Sequence, residues 1–76
     1  MEEILKTIIE SLVEKKDDIS IVKEEKDRVT IFKVKVSKDE MGKVIGKQGK
    51  IAQSIRTLMR SVAAKEQKKV EVEFVD

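Results

Sequence analysis

Two glycines three residues apart, Gly46 and Gly49, enclose Lys47 and Gln48, and Lys43 and Lys50 stand close outside them. The chemistry open to such a turn is anion binding. Glycine lets a backbone take conformations that a β-carbon blocks, and lets a ligand's backbone come close. A helix beginning at about Lys50 adds free amide groups and the positive end of its dipole at the same place. Lys47 and Lys50 add mobile charge. Together these parts suit a phosphodiester backbone. Without further context, the same two glycines also fit a plain cap on one helix and the start of the next.

Covalent and acid–base chemistry has far less to work with. The chain has no His and no Cys. It can therefore form no Ser-His-Asp triad, no Cys-His pair, no imidazole or thiolate metal site and no disulfide framework. The best carboxylates for catalysis, Asp39 and Glu40, both fit the start of a helix instead. A nucleotide-hydrolase phosphate loop needs Gly-x-x-x-x-Gly-Lys-Ser/Thr, and that spacing is absent. The residues point away from an enzyme and call for no cofactor, metal or small-molecule substrate. A fold without disulfides fits a reducing, cytoplasmic setting. Apolar runs of two or three residues predict no membrane insertion.

Charge is unevenly placed. The formal net charge is only +2. Yet residues 42–69 carry eight basic side chains, Lys43, Lys47, Lys50, Arg56, Arg60, Lys65, Lys68 and Lys69, against the single acid Glu66. The rest of the chain is net acidic. A basic block of this kind suits an anionic partner such as nucleic acid, and equally suits Lys-rich helices kept soluble.

The elements that must hold the glycine turn follow from periodicity. Ile4, Leu5, Ile8, Ile9, Leu12 and Val13 form one apolar stripe, which predicts an amphipathic helix over residues 2–16. Glu2 and Glu3 then fall in its first turn and Lys15 and Lys16 in its last. Asp17 and Asp18 break the pattern. Ile19, Ile21 and Val22 start a strand, residues 24–27 form a polar turn, and residues 28–36 form a second strand. In that strand Thr30, Phe32, Val34 and Val36 share one face, while Val29 and Ile31 suggest cover on both faces at its start. Ser37 and Glu40 make a capping box. Met41, Val44 and Ile45 are the apolar positions of the short helix it opens, which Gly46 ends. A core-facing stripe of Ile51, Ile55, Leu58, Met59 and Val62 follows, fading near Glu66 and Gln67. Val70, Val72 and Phe74 alternate with Glu71 and Glu73 as a last strand.

The order is α-β-β-α-α-β. The link between the second and third strands holds two helices, so those strands can lie parallel. The expected fold is one α+β domain over residues 1–76, a two-layer sandwich. It has a three-stranded mixed sheet with helices on one face.

The phrase Met41-Gly42-Lys43-Val44-Ile45-Gly46-Lys47-Gln48-Gly49-Lys50-Ile51-Ala52, set between a short helix and a long one, resembles a KH domain. The element order resembles the bacterial type II form. The length, the N-terminal helix, Ile55-Arg56-Thr57-Leu58 and the ending from Val70 to Asp76 are similar to the small stand-alone bacterial KH proteins of the KhpA (YlqC) family. That likeness spans essentially the whole chain, with both glycines of the turn intact.

The resemblance implies single-stranded RNA as the ligand, with a Gly-x-x-Gly loop clamping the backbone of about four nucleotides. Mapped here, Gly46, Lys47, Gln48 and Gly49 hold phosphate, through backbone amides and the Lys47 ammonium. Gly42 and Val44 form the floor of an apolar groove between helices and sheet edge. Ile45 and Ile51 serve partly as core. Lys43, Lys50 and Arg56 supply outer electrostatics, and each equally fits a solvated surface charge. The resemblance further implies a bacterial RNA chaperone or post-transcriptional regulator with a role in cell-envelope growth and cell shape. It implies pairing too, as a homodimer or with a larger KH-containing partner, KhpB (also called Jag). With both Phe assigned to the sheet core, base stacking is not expected to anchor the RNA.

Overall fold

The computed structural model describes residues 1–75. Asp76, part of the ending that carries the resemblance, lies outside the described residues. The elements are α1 (Glu2–Leu12), β1 (Ser20–Lys26), β2 (Val29–Lys35), α2 (Met41–Ile45), α3 (Lys50–Lys65) and β3 (Lys69–Phe74). Short 3₁₀ turns at Lys16–Asp18, Lys38–Glu40 and Lys47–Gly49 join them. The sheet order is β1-β2-β3, with β1 and β2 antiparallel and β2 and β3 parallel. This is the expected α-β-β-α-α-β sandwich with its mixed sheet.

The core lies between the sheet and the three helices. Register explains it. Thr30, Phe32 and Val34 on β2 pair with Val70, Val72 and Phe74 on β3, so these side chains share one face. Leu5 and Ile9 of α1, Val44 of α2 and Ile55 and Met59 of α3 close over that face. Phe32, Leu5, Ile9, Met59, Val34 and Val44 are its largest fully buried side chains. Burying each stabilises by roughly 1.5–3 kcal/mol before entropy is counted.

Five local expectations differ from the structure. First, α1 stops at Leu12 instead of running to residue 16, so Lys15 and Lys16 are not in its last turn. Val13 turns extended and buries its side chain, and the next two amides leave the helix to find another acceptor. Second, β1 continues through the charged residues to Lys26, and the turn is only Asp27-Arg28. Both take left-handed φ, 51° and 68°, the geometry of a two-residue hairpin turn. Charged residues suit β1 because it is an edge strand.

Third, no capping box forms. The Ser37 hydroxyl donates to Asp39, and Glu40 is engaged elsewhere. Fourth, Ile51 and Leu58 are 36% and 46% exposed. Ala52 and Ala63 are buried in their stead, since small side chains let α3 lie close to the sheet. Fifth, Val29 and Ile31 are half-buried on the open face of the sheet, not covered on both sides.

The end of α3 carries a detectable strain. Gln67 has φ 58°, and its amide and that of Lys68 donate to Ala64 O and Ala63 O at 3.0 and 2.9 Å. Glycine is the residue for such a C-terminal cap. Gln67→Gly is expected to stabilise the fold by about 0.5–1 kcal/mol. The midpoint of thermal unfolding should rise by a few degrees. A lower midpoint would contradict this account of the cap.

Candidate functional site

The glycine turn is built by two contrasting glycines. Gly46 has φ 78° and ψ 173°, and Gly49 has φ 75° and ψ 12°, both outside the range comfortable for other residues. Gly46 is also sterically obligatory. A β-carbon there would lie 2.5 Å from Ile51 Cγ1 and 2.7 Å from Ile51 Cβ. The Ile51 Cβ is fixed by the helix backbone and cannot rotate away. A β-carbon on Gly49 meets open space. Between them Gln48 also takes φ 58°. Three left-handed residues in four reverse the chain from α2 into α3.

The amides of the loop divide into used and free. Gly46 donates to Gly42 O at 2.9 Å, Gly49 donates to Gly46 O at 3.1 Å, and Lys50 donates to Lys47 O. The amides of Lys47 and Gln48 make no hydrogen bond among the described residues. The loop therefore offers two backbone donors at the N-terminus of α3, where the helix dipole favours an anion.

The surrounding cations divide likewise. Lys47 and Lys50 are exposed and join no ion pair among the described residues. Lys43 Nζ lies 3.1 Å from Glu40 Oε2. Arg56 is half-buried: its Nε donates to Val72 O at 3.1 Å, and its guanidinium lies 5.5 Å over the Phe74 ring. Lys43 and Arg56 are thus not the loose outer charges expected from sequence.

Groove residues need a similar correction. Val44 is 0% exposed and belongs to the core, so its side chain offers a groove no surface. Its place in α2 points it into the sandwich, with Met41 and Ile45 packed on the same cluster. Gly42 is exposed, and a β-carbon there would meet nothing within 4 Å. Ile51 packs on Gly46 and stays partly exposed. Phe32 is core as expected, but Phe74 is only half-buried at the end of β3. Its regular alternation with Glu71 and Glu73 gives no signal of this.

Glu40 sets where α2 starts. It is 4% exposed, and its carboxylate accepts from the amides of Glu14 and Lys15 at 2.7 and 2.9 Å and from Lys43 Nζ at 3.1 Å. Beside it Lys15 Nζ donates to Asp39 at 2.8 Å. One carboxylate thus joins the end of α1 to the helix that carries the glycine turn. Sequence alone reads Glu40 as a local cap, because nothing local marks a partner 25 residues away. The Glu14 and Lys15 amides hold its carboxyl below the ordinary carboxylate range. The Lys15 ammonium, then the Ser37 hydroxyl, lower Asp39 to about 2. Lys15 and Lys43 are raised in turn, by Asp39 and Glu40 respectively.

With this geometry in view, the family model of the KhpA/KhpB KH domain matches residues 2–74. The chain belongs to that family. It is 45% identical to the RNA-binding protein KhpA of Listeria monocytogenes serovar 1/2a over 76 residues, the whole of both chains. It is 45% identical to the RNA-binding protein KhpA of Clostridium perfringens over 75 residues, 99% of this chain and all of the relative. The RNA-binding protein KhpA of Bacillus subtilis is 38% identical over 76 residues, all of this chain and 94% of the relative. In this KH domain no helix among the described residues is long and apolar enough to cross a membrane.

Two outcomes follow from the geometry. Gly46→Ala should cost about 2–4 kcal/mol, from left-handed strain and overlap with Ile51. Gly42→Ala should be neutral or stabilising by up to about 1 kcal/mol, as alanine is the better helix former. Urea unfolding of both variants checks the contrast, and equal losses would refute it.

The second outcome concerns acid. A carboxyl whose pKa is lowered by folding contributes fully above its unfolded value and loses that contribution as pH falls through the folded value. For Asp39 the fall runs from 3.8 to about 2, and Glu40 shifts in the same direction. Urea midpoints should therefore drop on acidification from about pH 4 to 2. The drop should be shallower in an Asp39→Asn, Glu40→Gln double variant. An equal slope in both proteins would show that these carboxylates do not carry the effect.

Proposed function

We propose that this protein is a non-enzymatic, cytoplasmic RNA-binding module, one KH domain that clamps single-stranded RNA at Gly46–Gly49. The observation that carries the reading is the pairing of two unspent amides, Lys47 and Gln48, with two unpaired lysines, Lys47 and Lys50, at the N-terminus of α3. The fit is to phosphate: donors fixed by left-handed backbone, and mobile charge beside them. The names of the relatives, RNA-binding proteins over their full length, support the same reading. Gly42 gives a nucleotide backbone room to approach α2. A post-transcriptional or chaperone role in a bacterium is the setting this would serve.

Affinity should be modest and strongly salt-dependent, because most of it comes from phosphate contacts. Each neutralised phosphate contributes a slope of about −0.7 in log affinity against log salt for single strands. Weak single sites gain steeply by being linked. A second reading, compatible with the first, is therefore a dimerisation module that pairs with itself or with KhpB. Ile51 and Leu58 favour it, because they stand seven residues apart on one face of α3, Ile51 beside the loop and Leu58 about two turns on, and are exposed. Sedimentation beside RNA gel shifts separates the two: a dimer without RNA affinity favours the second.

The direct test of the clamp is Lys47→Asp with Gln48→Asp. Both side chains are exposed, so the circular dichroism spectrum should stay unchanged. RNA binding should be lost, because two carboxylates would then face phosphate. Retained affinity in the folded double variant would refute the clamp.

A further inference from the structure

Among the described residues, Arg56 is the cation near the glycine turn that the fold has fixed without ion pairing. Seven residues after Gly49, it stands about two turns and roughly 10 Å along α3, on nearly the same side of the helix as that N-cap glycine. It reaches across to β3. Its Nε donates to Val72 O at 3.1 Å, and its guanidinium lies 5.5 Å over the Phe74 ring. The terminal nitrogens make no hydrogen bond or ion pair among the described residues. Its neighbour one turn on, Arg60, is instead neutralised by Glu71 at 3.3 Å.

β3 is an edge strand, so Arg56 spans the helix and the open edge of the sheet. A strand clamped at Gly46–Gly49 and running on along this side of α3 would bring its bases over Arg56. A cation meant only to attract phosphate does best when mobile, as Lys47 and Lys50 are. A guanidinium laid on an aromatic ring and tied through Nε has lost much of its rotamer freedom in advance. What it offers is a flat, polarisable face. Arginine planes serve as stacking surfaces for bases of single-stranded RNA. The chain has no Trp or Tyr, Phe32 is 1% exposed, and the half-buried Phe74 lies under the guanidinium itself, so the arginine plane is the flat surface offered at that edge.

We propose that Arg56 is the stacking surface of the groove: a nucleobase of bound single-stranded RNA lies on its guanidinium, which Val72 and Phe74 hold in place. This rests on the RNA-binding reading above and names its base-contacting residue.

The test uses fluorescein-labelled RNA octamers in which one abasic nucleotide is moved along the strand. Wild-type protein is measured first. If it binds no octamer, the RNA reading falls and the Arg56 assignment with it. If it binds, Arg56→Lys, which keeps the charge and loses the plane, should bind at least about fivefold more weakly, with an unchanged salt slope. One abasic position should weaken wild type by a similar factor and leave Arg56→Lys unaffected. Wild-type affinity in Arg56→Lys, or the full abasic loss persisting in it, would overturn the stacking assignment while leaving the clamp standing. A readout that needs no variant is the Arg56 Nε–Hε NMR signal in the wild-type chain. A base over the guanidinium should move it upfield with RNA and not with inorganic tripolyphosphate. An equal shift with both would likewise overturn the proposal.

Discussion

A missing β-carbon governs this molecule's functional end. At Gly46 the backbone of one helix ends against the side chain that begins the next, and a methyl group would sit 2.5 Å from Ile51 Cγ1. Because that contact is so close, α2 and α3 can turn back-to-back within a few residues. The turn then needs left-handed φ at Gly46, Gln48 and Gly49. This geometry leaves the amides of Lys47 and Gln48 without carbonyl partners while satisfying those around them. The proposed phosphate site is therefore a by-product of how tightly two helices are joined. The glycine that is sterically required and the donors that would be used are different residues.

A second tie fixes the first in space. α2 has only five residues, too short to hold its own position. Val44 anchors it from inside the core, and the Glu40 carboxylate anchors its start to the two amides where α1 ends. Those amides lie just past α1, where the chain has left the helix and an N–H no longer has an intrahelical acceptor. Glu40 satisfies both and draws Lys43 in as counter-charge. Lys43 is thereby committed to the fold, and the nearby charge left unpaired is that of Lys47 and Lys50.

The architecture is legible in the sequence because it rests on periodicity. The alternation in Val70 and Val72, the ending of α2 at Gly46 and the spacing of Ile55 and Met59 all mean in three dimensions what they suggest in one. Local rules fail where a long-range partner overrides them. Val13 and Glu40 shorten α1 together, although they are 27 positions apart in the chain. Glu24, Glu25 and Lys26 look like a turn, yet an exposed edge strand tolerates them. Val44 and Phe74 show the same limit at the site. One apolar residue in a five-residue helix can face core or groove, and only packing chose the core. A residue that completes a strand's alternation can still end at the open rim, where Arg56 covers it.

Charge and aromatic content then read as one design. A net charge of +2 averages an acidic majority of the chain with a basic helix–turn–helix. Within that basic segment the cations are sorted by neighbour: Arg60 is paired with Glu71, Lys43 is paired with Glu40, and Arg56 rests on a ring and a carbonyl. Such sorting matters more than the total, since a paired cation must give up its partner to meet a phosphate, while an unpaired one is free to displace a counterion condensed on the strand. With few phosphate contacts on offer and no Trp or Tyr in the chain, the proposed clamp would hold a strand with modest affinity. Under that proposal, retention of RNA would gain steeply from joining two such surfaces. Ile51 and Leu58 leave an exposed apolar strip on α3 that starts beside the turn and runs about two turns along the helix. A partner seated on that strip would stand close to the proposed phosphate site, so on this reading assembly and RNA affinity would be coupled through α3.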